Sequence, residues 1–452
     1  MIARSTLVRN PAIPLQIMTA SPVSGIRQIG QQEQALRQLA VILWATALLA
    51  VLVRVGIWPL RANSVYDVYV IAARHWLKGV AVYSWGTGSG YRYSPMIAIL
   101  FAPFTLLPDR VGGIVWRALC AGIFLGGLGW CCKLAIPSRR VGRAWPIVFM
   151  LVLPLAAGSI NNAQANCLLA GLLLCGIAAT YRRRWNLAAA CVTLACFFKI
   201  YPLSVLLLLC VLFPRKLAIR FAGMLAAGLL VPFLFDSPAA AFHLYAEWIR
   251  RLAIEDRAGL PLRQWFQDVR LLFGVWGYPL GATTFMIVQL LAAAAIAAIC
   301  LIGKARRWPQ RLLLARMLTL ACCWMTVLGP STEFSTYILL APGLAWAICV
   351  AWSDPKASLD RLVLFSSYIL FLSVIVGFWF PFGRTYSATG VAPLAGVLFM
   401  VHAFHKCIAA PRIARVFGIG RNLADKQPRI TSPSPARTHR GRSVAPLGHL
   451  PY

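Results

Sequence analysis

Twelve aspartates and glutamates stand among 452 residues, against 44 lysines and arginines. In so apolar a chain each carboxylate needs a reason. Asp67 lies just past the first long apolar run, in Val65-Tyr66-Asp67-Val68-Tyr69. A helix from Val65 to Lys78 puts Asp67, Arg74 and Lys78 on one face, by spacings of seven and four. A carboxylate beside cations stays ionised at neutral pH. Such a group suits the removal of a proton from a hydroxyl. The plain alternative is that Asp67 caps the helix, although Asn63 and Ser64 are better placed for that.

Other polar residues stand at the ends of apolar runs. Gly158-Ser159-Ile160-Asn161-Asn162-Ala163-Gln164-Ala165-Asn166 joins two runs by a polar turn. It is either a helical hairpin capped by asparagine or a set of amides, Asn162, Gln164 and Asn166, lining a sugar or phosphate site. Lys199, in Phe198-Lys199-Ile200-Tyr201-Pro202, either snorkels or holds a phosphate. Arg74 and Arg92 are further candidates for that anion, with His75 and Tyr93 beside them as substrate contacts. Glu333 is an isolated acid in Gly329-Pro330-Ser331-Thr332-Glu333-Phe334-Ser335. It is either a helix-start acid favoured by the dipole or part of a site.

The elements that must position these residues are apolar helices. Sixty per cent of the chain is hydrophobic and 12% charged, which excludes a soluble domain. Candidate spans are 38–58, 110–134, 144–160, 164–180, 186–199, 201–213, 217–235, 282–303, 311–328, 336–352, 360–380 and 391–408. The runs 186–199 and 201–213 are short enough to form one re-entrant pair, and 95–107, bounded by prolines, reads as interfacial or re-entrant. The fold class is thus an all-α polytopic membrane protein with about ten to twelve transmembrane helices. The expected organisation is a cytoplasmic segment 1–37, a transmembrane domain 38–408 and a basic, disordered cytoplasmic tail 409–452.

The net charge of +32 does not signal nucleic acid, because the cations cluster in short loops between apolar runs and in the tail. With the N-terminus in the cytoplasm, the clusters Arg139/Arg140/Arg143, Arg182–Arg184, Arg215/Lys216 and Lys304–Arg311 all fall inside, as does the tail. The loops 59–109, 161–163, 236–281, 329–335 and 381–390 fall outside, with most of the acids. A carboxylate site therefore faces outward. The 13 cysteines lie almost all in apolar runs and form no CxxC pair, so they read as small membrane hydrophobes. No metal-ligand cluster, P-loop or nucleotide fingerprint is legible. No cofactor is called for, and whether a divalent metal assists a phosphate stays open.

At these residues the chain resembles bacterial membrane glycosyltransferases of GT-C architecture, specifically the polyprenol-phosphate-mannose-dependent alpha-mannosyltransferases of glycosyltransferase family 87. The family's Asp-containing segment corresponds to Asp67, Ala72, Ala73, Leu77 and Gly79, followed by Tyr83, Tyr93, Pro95, Pro103 and Pro108; Ser94 replaces a proline. Its Gly-Gln-x-Asn hairpin matches Ala163-Gln164-Ala165-Asn166, and its Lys-x-x-Pro matches Lys199 to Pro202. Where family members often carry histidine in the late outer loop, this chain has Glu333. The resemblance covers about residues 38–405. It implies a GT-C-like bundle in the bacterial inner membrane. It also implies a polyprenyl-phosphate sugar donor, mannose in the family, a lipid or glycan acceptor, and Asp67 as the catalytic carboxylate with Glu333 in support. The rival readings are a secondary transporter, which calls for repeated halves and acids at mid-membrane, and a non-catalytic membrane scaffold.

Overall fold

The computed structural model describes residues 22–57, 64–83, 90–135, 141–254, 257 and 259–416. Arg139, Arg140, Asn63, Glu255, Asp256 and the tail beyond Val416 lie outside them. All regular structure among the described residues is helical. The order is α1 (Pro22–Ile57), α2 (Val65–Leu77), α3 (Pro95–Leu100), α4 (Asp109–Ala135), α5 (Val141–Asn161) and α6 (Asn166–Tyr181). Then follow α7 (Trp185–Phe198), α8 (Leu203–Leu212), α9 (Ile219–Leu230), α10 (Pro238–Ala253), α11 (Val269–Val275) and α12 (Ala282–Ala305). The last are α13 (Gln310–Cys323), α14 (Ala341–Trp352), α15 (Ser358–Gly377), α16 (Gly383–Ser387) and α17 (Val391–Val416). The chain forms two units, Met1–Cys407 and Ile408–Tyr452, and every contact below lies in the first.

Eight helical segments among the described residues are long and apolar enough to cross a membrane. The expected spans at 164–180, 186–199, 201–213 and 336–352 are instead the shorter α6, α7, α8 and α14. Polar turns cut these runs short: Asn162 to Gln164 precedes α6, and Lys199 to Pro202 separates α7 from α8. The run 95–107 breaks into α3 and a 3-10 helix, Ala102–Leu106, with Pro103 near the start of the second.

Apolar side chains cover the outside as well as the inside. Val41, Ile42, Leu290 and Leu291 are exposed on α1 and α12, as expected where lipid is the solvent. With no water to exclude, helices associate there by close packing of small residues. Helices α4 and α6 do so at Gly127 and Gly171. A Cβ on Gly171 would lie 2.7 Å from the Phe124 Cα, and one on Gly127 would lie 2.6 Å from the Gly171 carbonyl oxygen.

The polar groups sort into two ends. At one, the backbone N–H of Val65 donates to Asn162 (3.0 Å), Trp76 Nε1 to Asp236 (2.8 Å), Trp248 Nε1 to the Arg92 carbonyl (3.0 Å) and the Gln267 N–H to the Thr332 carbonyl (2.7 Å). These bonds tie together loops that the charge pattern assigns to one face. At the other end, Lys304 Nζ donates to the Leu212 carbonyl (2.7 Å), Arg311 Nε to the Tyr181 hydroxyl (3.0 Å), and Lys406 pairs with Asp360. A short π-helix, Trp324–Leu328, leads from α13 into the Gly329–Glu333 loop at the first end. Such wide turns often re-aim chain at functional sites.

Candidate active site

Helix α2 carries Asp67 in its first turn, where a carboxylate meets the positive end of the helix dipole. Ser64 occupies the cap position without a side-chain capping bond, so its hydroxyl is available elsewhere. Arg117, from α4, takes it up. The Arg117 side chain is 2% exposed; Nη2 donates to Ser64 Oγ (3.3 Å), Nε and Nη2 to the Asn161 carbonyl (3.2 and 3.0 Å), and Nη1 to the Gly113 carbonyl (3.0 Å). A buried guanidinium is tolerable only with its donors satisfied. In satisfying them, Arg117 locks the start of α2 to the hairpin between α5 and α6. Tyr66 packs over Gly112, where any side chain would collide with its hydroxyl.

Asp67 is half-buried and makes no hydrogen bond or ion pair among the described residues. Burial pushes its carboxyl above the ordinary carboxylate value, Asp109 adds to the rise, and Arg117 and Arg74 pull partly back. The neighbouring Tyr66 hydroxyl, buried without a hydrogen-bond partner, is pushed up to about 12, chiefly by burial and then by Asp109. The expected face of Asp67, Arg74 and Lys78 is altered by a second acid. Arg74 Nη2 lies 2.5 Å from Asp109 Oδ1 and Nη1 lies 3.4 Å from Oδ2, so Asp109 takes the guanidinium.

A second cluster joins the other motifs. Asn166, 0% exposed at the start of α6, donates to Gln164 Oε1 (2.8 Å) and Ser335 Oγ (3.2 Å), and its Oδ1 accepts from the Tyr201 hydroxyl (3.1 Å). Gln164 Nε2 donates to Glu333 Oε2 (2.8 Å), and Ser335 donates to Gln164 Oε1. Glu333 also closes a capping box with Thr336, whose hydroxyl accepts from the Glu333 N–H at 3.2 Å. The amide hairpin, the lysine turn and the late loop, far apart in sequence, thus form one network. Lys199 Nζ sits 5.5 Å from the centre of the Tyr201 ring, within cation–π range.

Helix α2 stands between the two clusters. The Tyr69 hydroxyl accepts from the Ala165 N–H (3.2 Å), and its ring packs 4.7 Å from that of Tyr93. Burial raises the Tyr93 hydroxyl to about 12, with the Glu333 charge adding to the rise. Tyr93 therefore lies within electrostatic reach of Glu333. Asn162 and Arg92 contribute through backbone carbonyls, to Val65 and Trp248. His75 lies further along α2, its Nδ1 3.0 Å from the Ala81 carbonyl.

The opposite loop adds residues that the motifs do not reveal. Asp268, 4% exposed, caps α11 by accepting from the Arg270 N–H at 2.9 Å; burial raises it to about 7. Gln267 is 8% exposed, and its carbonyl accepts from the Tyr337 hydroxyl (2.7 Å). Its side-chain Oε1 is buried without a hydrogen-bond partner. Nothing local in the sequence marks Gln267: its partners Thr332 and Tyr337 lie about 65 to 70 residues downstream. Among the described residues no three His, Cys, Asp or Glu side chains gather as a metal site.

Among solved structures, the chain is similar to ArnT from Cupriavidus metallidurans bound to undecaprenyl phosphate. The identity is 16% and the TM-score 0.36, over 84% of this chain and 79% of that one. The model of glycosyltransferase family 87 matches residues 91–330. That stretch holds the amide hairpin and the lysine turn, begins after Asp67 and ends just short of Glu333. It covers more than half of the sequence, and the chain belongs to glycosyltransferase family 87.

Proposed function

We infer that this membrane glycosyltransferase moves a hexose, mannose as in the family it resembles, from a polyprenyl-phosphate donor to a lipid or glycan hydroxyl. The reaction takes place on the outer face of the bacterial inner membrane. The observation that carries the reading is the state of the acids at one end of the molecule. Asp109 pairs with Arg74, Asp236 accepts from Trp76, Asp268 caps α11, Glu247 lies 3.9 Å from His243 and Glu333 accepts from Gln164. Asp67 is the described acid there without such a partner. A partly desolvated carboxylate left open in a built scaffold is placed for a substrate proton.

In the reaction the acceptor oxygen attacks the anomeric carbon of the donor. The bond from that carbon to the phosphate oxygen breaks, and its electron pair leaves with the lipid phosphate. The acceptor proton passes to the Asp67 carboxylate. Lys199 meets the phosphate charge, and the fixed network of Gln164, Asn166 and Glu333 orients the sugar. Transport calls for acids at mid-membrane. Within the eight apolar segments the described acids are Glu33, Asp109 and Asp360, each within the first three residues of its segment.

The test is incubation of purified protein with mannosyl and glucosyl polyprenyl phosphates and with nucleotide sugars, with products read by mass spectrometry. Transfer from a polyprenyl-phosphate sugar that is lost in Asp67→Asn is the expected result. Transfer from the nucleotide sugar alone would overturn the donor assignment.

A further inference from the structure

The end of the molecule remote from Asp67 holds an apolar groove with a free volume of about 110 Å³. Two helix faces run along it, with Leu128 of α4, Val148 of α5 and Phe399 of α17 completing the walls. Arg311, Ala315, Leu318 and Cys322 of α13 line it at spacings of four, three and four; Ala170, Leu174, Ile177 and Tyr181 of α6 repeat the same spacings. Each set is one stripe of a helix. Eleven residues of rise make the stripe about 16 Å long. Gly343 of α14 also lines it, as do Leu339, the last residue of the 3-10 helix Phe334–Leu339, and Leu340 after it.

The lining is apolar along its length and basic at its mouth. There Arg311 Nε donates to the Tyr181 hydroxyl at 3.0 Å, and no other side-chain nitrogen of Arg311 has a hydrogen-bond partner among the described residues. Arg182, Arg183, Arg184, Arg306 and Arg307 are exposed on the adjoining turns. Among the described acids of this end, Asp360 is engaged with Lys406 and His402, and Asp354 with the Lys356 N–H. An occupant must therefore be a hydrocarbon chain with an anion at one end, the anion lying at the arginine end.

We propose that this groove is a binding site for one acyl chain of an anionic phospholipid, whose phosphate rests on Arg311 and the Arg182–Arg184 turn. The charge polarity decides between this occupant and the donor lipid. The donor's phosphate belongs at the Asp67 end, whereas the groove offers cations only at the opposite one. Juxtamembrane arginines attract anionic headgroups at this kind of boundary. The exclusion of the donor lipid rests on the proposed placement of its phosphate at the Asp67 end.

Native mass spectrometry of full-length protein, stripped and then re-lipidated, tests the proposal with phosphatidylglycerol, phosphatidylcholine and polyprenyl phosphate as probes. One phosphatidylglycerol should be retained in preference to phosphatidylcholine. Arg311→Gln should weaken that retention about fivefold, the size expected for one cation near a headgroup. Ala315→Phe, which fills the groove, should abolish it. Thermal melting checks that each variant is folded; if the groove-filling variant is not, the milder Arg311→Gln decides. Equal retention of both phospholipids, or retention unchanged in the folded variants, would overturn the proposal. Displacement of the bound phosphatidylglycerol by polyprenyl phosphate would overturn it too, and would give the groove to the donor's tail.

Discussion

The two carboxylates of the candidate site are held in opposite ways. Glu333 is fully engaged: it caps a 3-10 helix, accepts from Gln164, and through Gln164 and Asn166 is tied to Tyr201. Asp67 is half-buried beside an equally engaged frame of Arg117, Ser64 and Asn161, yet it makes no hydrogen bond itself. A satisfied buried network fixes geometry. A desolvated carboxylate without a partner keeps a high affinity for a proton. On the proposed mechanism, the contrast separates the group that shapes the site from the group that reacts in it.

The contrast breaks most directly at Asp67. Asp67→Asn keeps the size and removes the basicity, and should lower turnover about 10²- to 10⁴-fold with donor binding retained. If it stays active while Glu333→Gln is dead, the two roles are exchanged. Lys199→Ala should cost about tenfold to a hundredfold in kcat/KM, since it removes a cation from the leaving phosphate. An unchanged rate would leave Lys199 as a snorkelling residue only. Asn166→Ala takes the acceptor from the Tyr201 hydroxyl and one of two donors from Gln164 Oε1, and should destabilise the fold by about 1–3 kcal/mol; Glu333→Gln retains an acceptor for Gln164 and should cost less, as a thermal-shift series would show.

The subtlest effect sharpens the comparison through pH. A general base works deprotonated, so kcat/KM should fall as pH drops through the raised Asp67 value. Asp109→Asn removes a charge that raises Asp67 and releases Arg74, which lowers it. The acid limb should therefore move to lower pH. A limb that stays in place would mean that Asp67 is not the titrating group.

Much of the site is legible in the sequence because its parts stand at the ends of apolar runs. A polar residue there is conspicuous: Asp67, Gln164, Asn166, Lys199 and Glu333 all stand out, and four of them fall into one network or beside it. Arg117, Tyr69 and Tyr201 do not stand out. Tyrosine is ordinary in a membrane helix, and the guanidinium partners of Arg117 other than Ser64 are backbone carbonyls, which leave no trace in residue type. Arg74 was legible as a cation near Asp67, but Asp109, 35 residues later, claims it. The helical class is plain from composition. The number of full-length spans is not, because polar turns that build the site also shorten the helices around it.

The bond from Gln164 to Glu333 closes a separation of 169 residues. A polytopic protein enters the bilayer segment by segment during translation. The amide hairpin is therefore delivered long before the late loop exists, and it must wait in the membrane with its side chains unsatisfied or wet. Arg117 has a shorter wait, 44 residues, until Asn161 is made. The nascent chain thus holds no assembled site until α13 has been inserted. Ribosomal products that stop earlier will be inert, and chaperoning of the half-built bundle becomes part of making the enzyme.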